Sequence, residues 1–333
     1  VGFQLSYAAV LGIVLIHPML FQLYSFNNRI LDWMWSITCV SISAQVATFP
    51  LALLYFHQFP NMFLLSNLVV IPAAALILYV GFTLFLFSWW KSALLVFGFL
   101  LKYIISGLNQ LVVQIRNLPY SIIEGIDISV VETLLIYVII SSLLYTLLQK
   151  KTGGMYVGLI AGIAFTSMQI VEFSNQSQQK LVTVYNVKNE TVVSLIEGRT
   201  ATIFSSSYFA SNDESQLFHV RHHLWNRGVN QEVWVELTDS LVNRQIEWNN
   251  KLFCIANLQS VEDNSKLSLD AENLDFLVVD KVDWKYIENL NELRASYMIV
   301  AHNLGPKSMD RIDEVCNSDV RFVSKEGAIM SEM

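Results

Sequence analysis

Charge is scarce in this chain. Of its 333 residues, 15% are Asp, Glu, Lys or Arg, where a soluble domain carries about a quarter. That scarcity excludes a disordered, solvated chain. Cysteine is scarcer: Cys39, Cys254 and Cys316 stand far apart with no Cys-x-x-Cys pair. Such a set is neither a disulfide framework nor a zinc-finger pattern. The 14 glycines follow no collagen-like period. No Gly-rich phosphate loop, nucleotide motif or Gly-x-Ser-x-Gly elbow occurs. The chain therefore draws no energy from ATP by itself.

What is present is apolar and unevenly placed. Apolar residues make up 53% of the chain. Residues 1–173 hold 6 basic and 5 acidic side chains, residues 174–333 hold 15 and 23. The first part is nearly charge-free and the second is an ordinary acidic domain. One bulk solvent does not suit both. The expected architecture is an α-helical polytopic membrane bundle over 1–173, followed by a soluble α/β domain over 174–333. The chain opens on Val1 inside an apolar run with no charged leader. That start predicts the carboxy-terminal portion of a longer protein.

A bilayer-crossing helix takes about 20 apolar residues. Six segments qualify: roughly 2–21, 35–56, 62–88, 92–115, 129–148 and 154–173. The fourth is the least clear, because Lys102 lies within it and its second half turns polar. With six crossings, Arg29, Lys91 and Lys150–Lys151 fall on one set of loops. By the positive-inside rule that set is cytoplasmic, and residues 174–333 are expected outside the cytoplasm. Without the fourth crossing the assignment reverses.

Polar groups inside a bilayer are costly and mark helix contacts, cavities or pathways. Thr38, Ser41, Gln45 and Thr48 line one helical face. Gln4 and Ser6 open the first segment; Asn67, beside Ser66, lies in the third. Lys102, Ser106 and Asn109 share a face of the fourth. Pro50 and Pro72 each remove a backbone donor and read as helix breaks. Two readings follow: a polar cavity lined by these ten side chains, or hydrogen bonding between helices with no pathway. For Lys102 a snorkelling side chain is the plain alternative.

Three blocks carry a likeness. Gly2-Phe3-Gln4-Leu5-Ser6-Tyr7 runs on through Ile13. Ser43-Ala44-Gln45 is followed by Thr48 and Pro50. Tyr55-Phe56-His57-Gln58-Phe59-Pro60 leads to Ser66-Asn67-Leu68-Val69-Val70-Ile71-Pro72. In order and spacing they resemble the ComEC/Rec2 competence membrane proteins. The resemblance implies a bacterial inner-membrane channel that carries one DNA strand into the cytoplasm during natural transformation. It also implies single-stranded DNA, the lipid bilayer and other uptake proteins, including a cytoplasmic motor, as partners. The residues alone suit a membrane transporter or enzyme for another polymer or lipid equally well, with a sensing or docking soluble domain.

After a polar linker at 174–180, strands are expected at Leu181–Val187, Thr191–Ile196 and Thr200–Phe204. A helix from Asn212 or Asp213 to about Asn226 follows, ended by Gly228. Val233–Leu237, Leu252–Leu258, Leu274–Val279, Tyr297–Ala301 and Val320–Ser324 read as strands. Trp284–Arg294 and Pro306–Cys316 read as helices. Many ComEC-family proteins end in a metallo-β-lactamase-like domain, and this half resembles a degenerate copy, with Gly327-Ala328-Ile329 at the family's closing turn. The family's His-x-His-x-Asp-His cluster is absent. His219-Val220-Arg221-His222-His223 lacks the Asp, Asp280-Lys281-Val282-Asp283 has no His, and His302 stands alone. His219 and His223, at i and i+4, and Asp239, Asp275, Asp280 and Asp283 are thin material for a site needing several convergent ligands. No metal, cofactor or nuclease activity is expected. The acidic balance opposes nucleic-acid binding. A local contact through Arg221, Trp225 and Arg227, with Arg244 and Trp248, is the exception considered.

Overall fold

In the computed structural model, residues 1–237, 245–258, 274–282, 295–301, 306–316 and 319–332 are described. They form two compact units, Val1–Gln169 and Ile170–Met333. The expected helix at Trp284–Arg294, together with Asp239, Arg244, Asp283 and His302, lies outside the described residues.

The first unit is built from α1 (Gly2–Phe21), α2 (Arg29–Phe56), β1 (Gln58–Pro60), α3 (Phe63–Leu86), α4 (Lys91–Arg116), β2 (Ile122–Glu124), α5 (Val130–Gln149) and the start of α6 (Gly153–Gln178). All six helices, α4 included, are long and apolar enough to cross a bilayer. α2 begins earlier than its apolar run because Asn28 caps it, its Oδ1 accepting the Ile30 N–H at 2.9 Å. Ser129 and Glu132 form a capping box on α5. The Glu132 carboxylate is fully buried, and its second oxygen accepts Gln169 Nε2 at 2.7 Å, tying α6 to α5.

The prolines do not break their helices: α2 runs through Pro50 and α3 through Pro72. At Pro50 the reason is visible. A proline disturbs the backbone bonds of the turn before it. The Tyr137 hydroxyl, from α5, donates to Ala47 O at 2.8 Å. A neighbouring side chain thus supplies a donor to the turn that the proline disturbs.

Packing depends on close backbone approach. A Cβ on Gly12 would lie 2.4 Å from Ala47 Cβ and 2.5 Å from Ser43 O, so α1 rests directly on α2. Gly154 and Gly158 meet Thr146 and Ser142 of α5 in the same way. Small residues at helix seams let dispersion act where the hydrophobic effect does not.

The two short strands pair antiparallel, Gln58 with Glu124, Phe59 with Ile123 and Pro60 with Ile122. His57, at φ 54°, starts the ribbon, and its Nδ1 donates to Ile126 O at 3.1 Å. Asn61 closes the other end through Ser121 O and Tyr120 O. Pairing requires both loops on one side of the membrane, so α3 and α4 cross together or not at all. Paired residues in such a ladder lie about 4.5–5.5 Å apart at Cα, within disulfide reach. Phe59→Cys with Ile123→Cys is therefore expected to cross-link under mild oxidation, read by gel shift after cleavage between α3 and α4. No cross-link would refute the shared side.

The second unit begins inside α6. Residues 174–178, expected as a linker, continue that helix; nothing there is Pro or Gly. Next come β3 (Lys180–Val187), β4 (Glu190–Glu197), β5 (Thr200–Ser205), α7 (Ser207–Ala210), α8 (Asp213–Gln216), a π-helical turn (Leu217–Arg221), α9 (His222–Asn226) and β6 (Gln231–Glu236). β7 (Gln245–Trp248), β8 (Lys251–Leu258), β9 (Leu274–Val282), β10 (Ala295–Val300), α10 (Pro306–Val315), β11 (Asp319–Phe322), α11 (Val323–Glu326) and β12 (Ile329–Glu332) follow. The helix expected over 213–226 runs without a break, with a π-helical turn at Leu217–Arg221, and is capped by Asn212 as anticipated. The last strand is β12 rather than Val320–Ser324, because Val323 turns into α11 and Gly327, at φ 82°, reverses the chain.

Among the described residues the strands make two sheets, ordered β12-β3-β4-β5-β6 and β11-β10-β9-β8-β7. Their inner faces share one core, with Val182, Val184, Val193 and Phe204 against Phe253, Ile255, Phe276 and Val278. The first sheet's outer face is covered by Phe209, Val220 and Leu224 from the helical layer, the second's by Met309 and Ile312 of α10. The result is helix, sheet, sheet, helix.

Candidate functional site

The polar face of α2 points away from its partner. Ser43 and Ala47 meet α1, and at 3.6 residues per turn Thr38, Ser41, Gln45 and Thr48 lie on the opposite side. Thr38 and Thr48 return their hydroxyls to Met34 O and Ala44 O at 2.9 Å each. Those two groups are satisfied within their own helix. Ser41 is 3% exposed, and its hydroxyl has no hydrogen-bond partner among the described residues. Gln45 and Asn67 are half-buried. Gln4 Oε1 accepts the Tyr55 hydroxyl at 2.8 Å, and Ser6 is exposed.

The face of α4 is different. Lys102, Ser106 and Asn109 are joined by Gln110 and Gln114, with Ile105 and Val113 between them, along an open groove of about 700 Å³. This is one cation among amides and a hydroxyl on a helix that buries none of its residues. The sequence reading missed Gln110 and Gln114. The signal was there: Lys102, Ser106, Gln110 and Gln114 repeat every four residues.

In the second unit the histidine stretch is structural. The neutral His223 ring donates from Nε2 to Met330 Sδ at 3.0 Å and accepts the Tyr185 hydroxyl on Nδ1 at 2.9 Å. Both ring nitrogens are engaged, so His219 and His223 do not act as a chelating pair. Burial, with Arg227 nearby, lowers the His223 pKa to about 4. The unfolded chain then binds a proton that the folded one refuses. Stability should fall as pH drops from about 6.5 to about 4, by about 3 kcal/mol at most, and stay flat above. A melting series against pH checks this; His223→Gln should flatten the curve.

Where β5 and β6 end, carboxylates accept hydroxyls. Ser206 donates to Glu190 at 2.6 Å, Ser207 to Glu236, and Thr191 to Asp280 of β9. Asp275 accepts the Leu252 N–H at 3.0 Å. Among the described residues no three His, Cys, Asp or Glu side chains converge as metal ligands. The Cys254 thiol, pushed up to about 12 by burial, stays protonated at neutral pH. Of the expected contact patch, Trp225 is 5% exposed and offers no face to a base. Arg221 is taken by Asp213 and Glu232, at 3.4 and 3.6 Å. Trp248 packs against the inter-sheet core. Arg227 remains, half-buried, with Nη2 at 3.4 Å from Met330 Sδ.

Two family models match the chain. Residues 1–150 match the one described as Competence protein, and residues 182–330 the one described as ComEC C-terminal domain. The chain belongs to the ComEC/Rec2 family. The first match covers α1 to α5 and the second nearly all of the double sheet, so membership rests on both units. No curated protein and no solved structure matches it. A ComEC/Rec2 chain has a general role in competence DNA uptake. Its six apolar helices fit a multi-pass membrane protein.

Proposed function

We propose that this chain forms part of an inner-membrane channel passing a single DNA strand into the cytoplasm, with the α4 groove as the surface the strand touches. The observation that carries the reading is that groove: amides, a hydroxyl and one lysine facing open volume on an apolar helix. Amides and hydroxyls can follow a polar strand without holding it, and a conducting path must release what it binds. A single lysine meets a phosphate without trapping the chain. The paired loops of the β1–β2 ribbon support six crossings. With Arg29, Lys91, Lys150 and Lys151 cytoplasmic, residues 179–333 are then extracytoplasmic.

The second unit is, on this reading, a degenerate metallo-β-lactamase-like domain without hydrolytic chemistry. Two helix-covered sheets suit that likeness. The engaged histidine and the hydroxyl-bound carboxylates suit the loss of metal. Its role is to dock other uptake proteins, while a cytoplasmic motor supplies the pull. The test is import of labelled DNA when the α4 face is made apolar. Import lost with surface binding kept supports the channel; unchanged import rejects it.

A further inference from the structure

We propose that Arg199 and Arg227 bind the phosphate of an anionic lipid headgroup where α6 leaves the bilayer. The apolar run of α6 ends at Phe173, and Ser174 to Lys180 are polar. The Arg199 guanidinium lies over the Phe173 ring, 4.8 Å from its centroid. An arginine stacked at the last apolar residue of a crossing helix stands at headgroup depth. Its Nε donates to Gly228 O at 2.9 Å, which fixes the side chain.

The turn that carries Arg227 is held beside the turn that carries Arg199. Gln179 Nε2 donates both to Gly198 O at 2.8 Å and to Arg227 O at 2.7 Å, pinning the two arginine-bearing turns together. Gly228, at φ 64°, lets the second turn close against Gln176. Neither arginine has a carboxylate within ion-pair distance among the described residues, whereas Arg221, Arg311 and Arg321 do. Arg227 has a thioether as its neighbour, a weak acceptor. Half-buried cations without a counterion are unfavourable. A phosphate at that depth supplies the counterion, and arginine's planar fork suits it.

The headgroup is favoured over nucleic acid because the surrounding residues 174–333 carry 23 acidic against 15 basic side chains. A polyanion is repelled by that surplus, while one headgroup phosphate at the interface is not. The inference rests on α6 crossing a bilayer and not on a DNA path.

Native mass spectrometry of the full chain tests it, with phosphatidylglycerol, phosphatidylcholine and a single-stranded 20-mer as separate probes. The wild-type chain should retain phosphatidylglycerol in preference to phosphatidylcholine. Arg199→Gln with Arg227→Gln should cut that preference about tenfold. Arg199→Lys with Arg227→Lys, which keeps both charges, should restore most of it and guards against misfolding. Unchanged retention in the Gln pair, or loss of oligonucleotide binding alone, would overturn the proposal.

Discussion

Cells whose α4 carries Ser106→Leu, Asn109→Leu, Gln110→Leu and Gln114→Leu should import labelled DNA at least about tenfold less than wild type, while the protein's membrane abundance holds or rises. The second half of that statement follows from solvation. These four side chains line the open groove, so leucine removes polar groups from an apolar segment and eases insertion. The first half follows from conduction: an apolar wall offers nothing to replace the hydration of a polar strand. Thr38→Val with Thr48→Val is the matched control. Both threonines already spend their hydroxyls on their own helix, so import should stay within about twofold. Equal loss in both sets would place the path along α2 as well.

Gly12→Leu should unfold the membrane unit's first seam, at a cost of about 3 kcal/mol. The site leaves no room: Ala47 Cβ and Ser43 O stand where the new side chain must begin. Ser43 O is backbone and does not swing aside. α1 must then lift from α2, which also draws Gln4 from Tyr55 and Phe21 O from the Trp35 indole. Gly12→Ala should fall between, because one methyl displaces the helices by less. Melting of the purified chain in detergent, read with the fraction surviving size-exclusion chromatography, gives the order wild type, Ala, Leu. A Gly12→Leu protein as stable as wild type would show that α1 and α2 are not in direct backbone contact.

The six apolar helices could be read from the sequence because a bilayer demands length and apolarity, both local properties. The start of α2 could not, since its Asn28 cap lies outside the apolar run. Proline misled for the same reason. Pro50 reads as a break only until Tyr137, 87 residues away along the chain, is known to bond Ala47 O in the turn before it. The ribbon of three-residue strands left no periodicity to find, and its existence depends on two loops meeting. In the second unit the long strands were legible from β-branched runs, whereas β7 and β12 are four residues each.

The candidate site divided along similar lines. The α2 pattern at i, i+3, i+7 and i+10 was real as a face, but a hydroxyl's partner can be its own helix, which spacing does not reveal. Lys102, Ser106 and Asn109 were grouped correctly as a face, and the groove added two glutamines. Arg221 and Trp225 looked available because composition shows neither the carboxylates beside the one nor the burial of the other. Arg199 reads from the sequence only as part of the Glu197-Gly198-Arg199 turn after β4, and the fold brings it to Phe173.

On the channel reading a DNA strand in transit touches α4, and photo-cross-linking asks this directly. A photoreactive residue at position 109 or 110, in cells halted during uptake of labelled DNA, should capture the label, and one at position 38 or 48 should not. Capture at 38 and 48 with none at 109 or 110 would contradict the claim.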